Sequence, residues 1–399
     1  MLPMSEIEIE SRATEWSDLP IELQSMIVEL CDYSTRCRLR ATSFSLKHLA
    51  DTAKLFIPSV KIREKRNEVV QLTFTFSSGA EEYVLNYYSL EWGQTCIKQR
   101  GKQDVIVDEK DPGEATLDLF KRCCVQKNVT IGHLFLETCD ETSWFENDNL
   151  FSLSEIIQVQ KILWHRDGDS GLGCTILQRC RPELLKDIKV QEYCNFEVIL
   201  FEVINVKAFK NLESLQIFGQ IDAVDEDVLA LNASKIHLES HIFSGKLVNE
   251  LVKKWARENK KESFCLLKGG NFDELTTTGF EPIPSLEGEP ISAYRMPLPD
   301  NSVIYLKRGP KAVSLEIKNQ PVSDDSPMDR QRERCLRTTA DCCCDPNFAP
   351  YEDGDDSEYD NYSDRDSDYE NEYGYGWRRY ELDESDFDEY DFSNDEEDY

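Results

Sequence analysis

Histidine is scarce in this sequence, with five among 399 residues, and the five are scattered. A His-rich metal or proton-transfer centre is therefore not expected. Basic residues are outnumbered: 45 Lys and Arg stand against 77 Asp and Glu, a formal charge of −32. So acidic a chain lacks the clustered cations that displace counterions from a nucleic-acid backbone, and anionic headgroups repel it. Neither nucleic acid nor a membrane is expected as a partner. Long apolar runs are missing too. No stretch approaches the ~18 uninterrupted apolar residues of a spanning helix, and the greasiest, Phe196 to Val206, is broken by Glu197 and Glu202. Residues 1–16 show no basic flank and no apolar core, so no secretory signal is read. Without one, the fourteen Cys are expected as reduced thiols, mostly core filler, in a cytoplasmic or nuclear chain.

The charge that is present is uneven. Residues 351–399 hold 22 acidic and 3 basic residues, net −19, and the other 350 residues are net −13. Residues 321–399 lose apolar periodicity and are expected to be a disordered acidic tail, as 1–15 are expected to be a disordered N-terminus. The tail carries nine of the sixteen Tyr. Ser357, Ser363, Ser367, Ser385 and Ser393 each have an acidic residue three positions later, the pattern acidophilic kinases use. Such a tail can contact a basic protein surface, or it can simply solubilise the chain.

A compact unit is expected over residues 16–53. Pro20 suits a helix's first turn, and Leu23, Ile27 and Leu30 follow at helical spacing with Met26 alongside. Asp32 and Ser34 offer caps. A second short helix is read over Thr35–Thr42, with Leu39 apolar, and a third from about Ser45 through Leu46, Leu49 and Ala50. Three short helices make a very small core, so the unit should lean on a partner or a neighbour. Leu23, Ile27, Leu30 and Leu39 either form that core or remain exposed for a partner.

Alternation then takes over. Val70, Leu72, Phe74 and Phe76 alternate with polar residues, as do Tyr83, Leu85 and Tyr87 across Ser77-Ser78-Gly79, which reads as a hairpin. Six segments of alternating form follow, with apolar pairs at Leu134 and Leu136, Ile162 and Trp164, Ile188 and Val190, Leu215 and Ile217, Ile236 and Leu238, and Phe264 and Leu266. Their first apolar positions are 28, 26, 27, 21 and 28 residues apart. Helices are expected between several of them, over 115–125, 154–160, 182–186 and 246–258. A strand-plus-helix unit at this period predicts a degenerate leucine-rich-repeat-like array in one curved parallel sheet. An ordinary α/β domain with evenly spaced strands is the plainer alternative. Outward-facing Phe135, Leu163, Lys189, Gln216, His237 and Cys265 would then be candidates for a binding face. Residues 270–320 read as a closing element, with strands at Val303 and Tyr305 and at Val313, Leu315 and Ile317 around Gly309-Pro310. The fold class is thus α/β, three helices followed by a strand/helix array.

Catalytic readings find no support. Gly101-Lys102-Gln103 lacks the upstream glycine and the hydroxyl of a phosphate loop. No ordered Cys/His pairs and no activated Cys with partners are visible. Cys335 with Cys342, Cys343 and Cys344 lies in a polar stretch without a nearby His. It is read as reduced thiols, with soft-metal binding or acylation as the sharper alternatives. No cofactor and no enzymatic activity are expected.

The informative motif is Trp16-Ser17-Asp18-Leu19-Pro20, then Glu22-Leu23, Ile27, Leu30, Arg36, Leu39-Arg40 and Thr42-Ser43. It resembles the F-box, the three-helix module that docks on the Skp adaptor of cullin-RING ubiquitin ligases. The Trp-x-Asp-Leu-Pro entry and the later His48-Leu49-Ala50-Asp51 stretch look like the nematode F-box group that carries an FTH-type F-box-associated domain. That domain would span 54–320, including the strand region after Tyr294. The resemblance implies adaptor contact through Leu19, Pro20, Ile27, Leu30, Leu39 and Arg40. It implies a non-enzymatic substrate adaptor within a Skp–cullin ubiquitin ligase, with an unknown protein substrate.

Overall fold

A computed structural model describes residues 16–65, 69–76, 82–90, 93–138, 144–145, 151–152, 154–166, 171–192, 211–258, 262–284 and 291–318. The expectations for the N-terminus, for Phe196–Val206, for Cys335 and Cys342–Cys344 and for the acidic tail lie outside those residues.

The chain opens with a 3-10 turn, Trp16–Asp18, then helices α1 (Ile21–Leu30), α2 (Tyr33–Thr42) and α3 (Phe44–Thr52). Strands β1 (Leu55–Lys65), β2 (Val69–Thr75), β3 (Glu82–Ser89), β4 (Thr95–Gln99) and β5 (Val105–Val107) follow. Then come α4 (Pro112–Cys124), β6 (Val129–Thr138), β7 (Val159–Arg166), α5 (Gly171–Arg179), β8 (Asp187–Glu192) and β9 (Ser214–Gln220). After α6 (Asp225–Ala230), β10 (Lys235–Glu239), α7 (Gly245–Glu258) and β11 (Phe264–Lys268), the described chain ends on β12 (Glu281–Ile283), β13 (Ser292–Pro297), β14 (Val303–Arg308) and β15 (Ala312–Lys318).

All fifteen strands among the described residues join one sheet, in the order β12-β13-β14-β15-β11-β10-β9-β8-β7-β6-β1-β2-β3-β4-β5. Its centre is parallel: β1, β6, β7, β8, β9, β10 and β11 lie side by side in chain order. Antiparallel strands extend both ends. On one side β15 pairs with β11, and on the other β2 pairs with β1. The six alternating segments supply six of the seven parallel strands, and the anticipated hairpin forms with Val70 opposite Tyr87, Leu72 opposite Leu85 and Phe74 opposite Tyr83.

The core follows from the register. Val60, Leu134, Ile162, Ile188, Leu215, Ile236 and Cys265 stand opposite one another in turn. A second row beside it starts Ile62, Leu136, Trp164, Val190 and Ile217. Helices cover this face. Phe120 of α4, Ile176 of α5, Val228 of α6 and Leu251 and Trp255 of α7 join the same buried cluster. In α7 the buried positions Leu247, Val248, Leu251 and Trp255 recur at the helical period, so one stripe seals against the strands. In α4, Asp111 caps the helix by accepting the Glu114 N–H at 2.8 Å, and Pro112 occupies its first position.

Three expectations are corrected. Residues 154–160 are not a helix. Ile157 instead bridges to Cys180 in extended geometry, donating its N–H to Arg179 and accepting from Arg181, both at 2.9 Å. Seven residues are too few to nucleate a helix without packing support. Residues 182–186 form a turn leading straight into β8. The third concerns the outward row. Phe135, Leu163, Lys189, Gln216 and His237 do stand opposite one another. Leu266 continues that row, however, and Cys265 is buried in the core opposite Ile236. Both faces of β11 are covered, because Leu266 packs with Ile291 and Ala312 on the far side. Its run of apolar residues therefore shows no alternation to fix the register.

Candidate functional site

The three N-terminal helices bury little. Their core is Val28, Leu49, Ala50 and Ala53, with Trp16, Leu39 and Leu46 packed against it. Polar pinning makes up for the small core. The Gln24 side chain donates to the carbonyls of Trp16 at 3.0 Å and Leu19 at 2.9 Å, folding the entry segment over α1. Asp32 caps α2 by accepting the Thr35 N–H at 2.6 Å, and these hydrogen bonds hold its carboxyl below the ordinary range. Ser43 caps α3 through the Leu46 N–H at 3.2 Å.

Arg36 is the central fastener. Its guanidinium donates to the carbonyls of Glu29 at 2.9 Å, in the last turn of α1, and Cys31 at 3.2 Å, just after it. It also donates to Ala53 at 3.4 Å and Lys54 at 2.8 Å, where α3 passes into β1. From the other side, the Asn128 amide donates to the carbonyls of Asp51 at 2.7 Å and Ala53 at 2.8 Å. The Tyr33 ring stacks on Phe76, with centroids 4.0 Å apart. The helices are thus held directly on the sheet.

What they leave outside is apolar. On α1, Leu23, Met26, Ile27 and Leu30 form a stripe at helical spacing and are all exposed, Leu30 at 87%. Phe44, at the start of α3, is exposed to the same extent at 87%, and Ile21 is exposed as well. Side chains this large left uncovered within so few residues mark a partner surface. The inward positions of α1 are Gln24 and Val28, off the stripe. Of the residues singled out from the sequence, Pro20, Ile27 and Leu30 are exposed and Leu19 is half-buried. Leu39 packs into the small core, and Arg40 faces Asp51 across the α2–α3 pair. Sequence reasoning missed Phe44 and Met26 as surface members; the signal for Phe44 was a large apolar residue directly after the Ser43 cap, and for Met26 its place next to Ile27 on α1.

The second surface is the sheet face away from the helices. Phe135 meets the His165 ring edge-on at 4.8 Å and lies under the Arg63 guanidinium at 5.3 Å. Arg63 in turn contacts Glu137 at 2.7 Å. Further along, Phe218 lies 4.3 Å from the His237 ring and under Lys189 at 5.5 Å. Burial, aided by Lys268 and Lys189, pushes the His237 imidazole down to about 3, so it is neutral at physiological pH. His133, on β6, is shifted the same way by burial and Lys161. Among the described residues no group of three or more His, Cys, Asp or Glu is arranged to hold a metal ion. No helix among them is long and apolar enough to cross a membrane.

A family match falls on the helical module that carries the first surface. Residues 16–58 match the F-box domain, from the 3-10 turn through the start of β1. The chain therefore carries an F-box domain at this end. No curated protein and no solved structure matches the chain.

Proposed function

We propose that the chain is a substrate-recognition adaptor, docking through its F-box on the Skp subunit of a Skp–cullin–RING ubiquitin ligase and presenting a protein substrate. F-box proteins typically bind that subunit and are adaptors rather than enzymes. The observation that carries the reading is the uncovered stripe Leu23, Met26, Ile27 and Leu30 with Phe44 beside it, on the matched module. Pro20 and Leu19 extend that surface at its entry. Leu39 and Arg40 support it from within. The body is read as an FTH-like, leucine-rich-repeat-like domain of the nematode F-box group, a reading supported by parallel strands laid down in chain order. Its sheet face, with Phe135, Leu163, Lys189, Gln216 and Phe218, is the proposed substrate surface. The mechanism is effective concentration: the substrate is held near the ubiquitin-loaded enzyme, and this chain performs no chemistry. The setting is cytoplasmic or nuclear.

The net −19 of residues 351–399 favours a second reading. In it, the tail binds a basic, histone-like protein outside ubiquitination, with strong salt sensitivity.

Co-purification separates the two. Leu19→Ala with Pro20→Ala should abolish capture of the Skp subunit, and deletion of 351–399 should not. If the wild-type chain never captures that subunit, the adaptor reading fails. Salt-sensitive loss of a basic partner on tail deletion would establish the second reading.

A further inference from the structure

A cavity of about 240 Å³ lies between helices α2 and α3 and the antiparallel end of the sheet, with α4 closing one side. None of the exposed residues Leu23, Met26, Ile27, Leu30 and Phe44 lines it. One wall is aromatic. Phe76 is sandwiched by Tyr33 in near-parallel stacking, with planes 4° apart, and meets Phe74 at 5.7 Å and the edge of Tyr83 at 5.4 Å. The remaining lining is rich in guanidinium groups. Arg36, Arg40 and Arg122 line it together with one carboxylate, Asp51, so these groups carry a formal charge of +2. In a chain of net −32 that local excess of positive charge is out of pattern.

The three arginines differ in what already holds them. Arg36 is engaged by four backbone carbonyls, and Arg40 faces Asp51 at 2.8 Å. Arg122 reaches a neutral acceptor, the Asp118 carbonyl, at 3.4 Å, and is itself exposed, so the cavity opens to solvent beside it. Behind this wall the Tyr87 hydroxyl is fully buried without a hydrogen-bond partner, within electrostatic reach of Arg122 and of Cys123. Cys123 lines the cavity, and burial pushes its thiol up to about 11, so it adds no negative charge.

We infer that this cavity binds a small aromatic anion, its ring against the Phe76 wall and its carboxylate-like group toward Arg122. A guanidinium gives an anion charge-assisted hydrogen bonds, and ring stacking supplies the apolar contact. A cavity of about 240 Å³ has room for a bicyclic aromatic acid. Because the lining comes from both the F-box helices and the sheet, an occupant ties the two together. The site stands independently of Skp binding.

The test uses the full chain and three probes of one shape: 2-naphthoate, 2-naphthylmethanol and 2-naphthylmethylamine. Saturable one-to-one binding of naphthoate is expected, at least roughly tenfold tighter than the amine, with a thermal midpoint that rises with naphthoate concentration. Arg122→Glu should weaken naphthoate by roughly tenfold or more while leaving the ligand-free midpoint unchanged, since Arg122 is exposed. Leu119→Trp, which fills the cavity from α4, should abolish binding. No saturable binding of naphthoate, equal binding of the three probes, or naphthoate affinity unchanged in Arg122→Glu would each overturn the assignment. Skp capture measured on the same samples is a separate readout and should not change with Arg122→Glu.

Discussion

The Asp51 carboxylate lies 2.8 Å from Nε of Arg40, linking the last turn of α2 to α3. The contact is ionic rather than a well-aligned hydrogen bond. Burial raises the Asp51 carboxyl above its ordinary value, and the Arg40 charge offsets this only in part. Desolvation outweighs attraction at this pair, as happens when ion pairs leave water without full hydrogen bonding.

A pH dependence follows. The folded state holds the Asp51 proton more tightly than the unfolded chain does. Its contribution to stability is therefore fully present below the unfolded value of 3.8 and is lost as pH rises through the raised folded value. Asp51→Asn removes that titration. Urea midpoints of wild type relative to Asp51→Asn should fall as pH rises from about 3.5 toward neutrality and then level off. A difference that is flat or rises with pH contradicts this account.

Surface and core positions of the F-box should separate cleanly. Leu30→Glu and Phe44→Glu alter side chains that are each 87% exposed, so thermal stability should change by less than about 0.5 kcal/mol. Both should weaken capture of the Skp subunit by roughly a hundredfold, since a carboxylate would be desolvated in an apolar interface. Leu39→Ala, in the small core, should instead cost about 2 kcal/mol of stability. Calorimetry with a binding titration on the same variants decides the matter. Stability losses in Leu30→Glu would show that the stripe is packed rather than free.

Arg36→Lys tests the joint between the F-box and the sheet. A lysine ammonium cannot span the four carbonyls of Cys31, Glu29, Ala53 and Lys54 with the planar fork of a guanidinium. Leaving buried carbonyls without donors should cost at least about 2 kcal/mol. Hydrogen exchange should report the loss first in α3 and the start of β1. Exchange unchanged there would mean that Asn128 alone holds the junction.

The strands were readable in the sequence wherever one face meets helices and the other meets water. Leu134, Ile162, Ile188 and Leu215 alternate with half-exposed residues, so period two shows plainly. The signal failed at β11, where Leu266 and Cys265 are both buried on opposite faces. It also failed for β1, whose Pro58 obscures the alternation of Val60 and Ile62. The apolar stripe of α1 was equally visible, but its side was not. A period of 3.6 says that Leu23, Ile27 and Leu30 share a face, whereas only packing shows that Val28 points inward and they do not. The cavity was not legible at all, because Phe76, Arg36 and Arg122 come together through tertiary structure.

Helix α5 escaped the sequence for a reason that yields a last prediction. Gly171 and Gly173 open it, and glycine disfavours helix by about 1 kcal/mol per residue relative to alanine. Packing overrides that preference. Leu172, Ile176 and Leu177 are buried, and Gly173 lets the helix lie directly on the Trp164 ring. A Cβ at position 173 would overlap the indole, which is 1% exposed and walled in by the core. Gly173→Ala therefore sets a gain in helix propensity against a clash with a ring that has nowhere to go. Overpacking of this kind costs about 1–3 kcal/mol and should exceed the propensity gain. Net destabilisation is expected in chemical denaturation, with restoration when Trp164→Phe shortens the opposing side chain. If Gly173→Ala alone stabilised the protein, the close approach of α5 to β7 would be refuted.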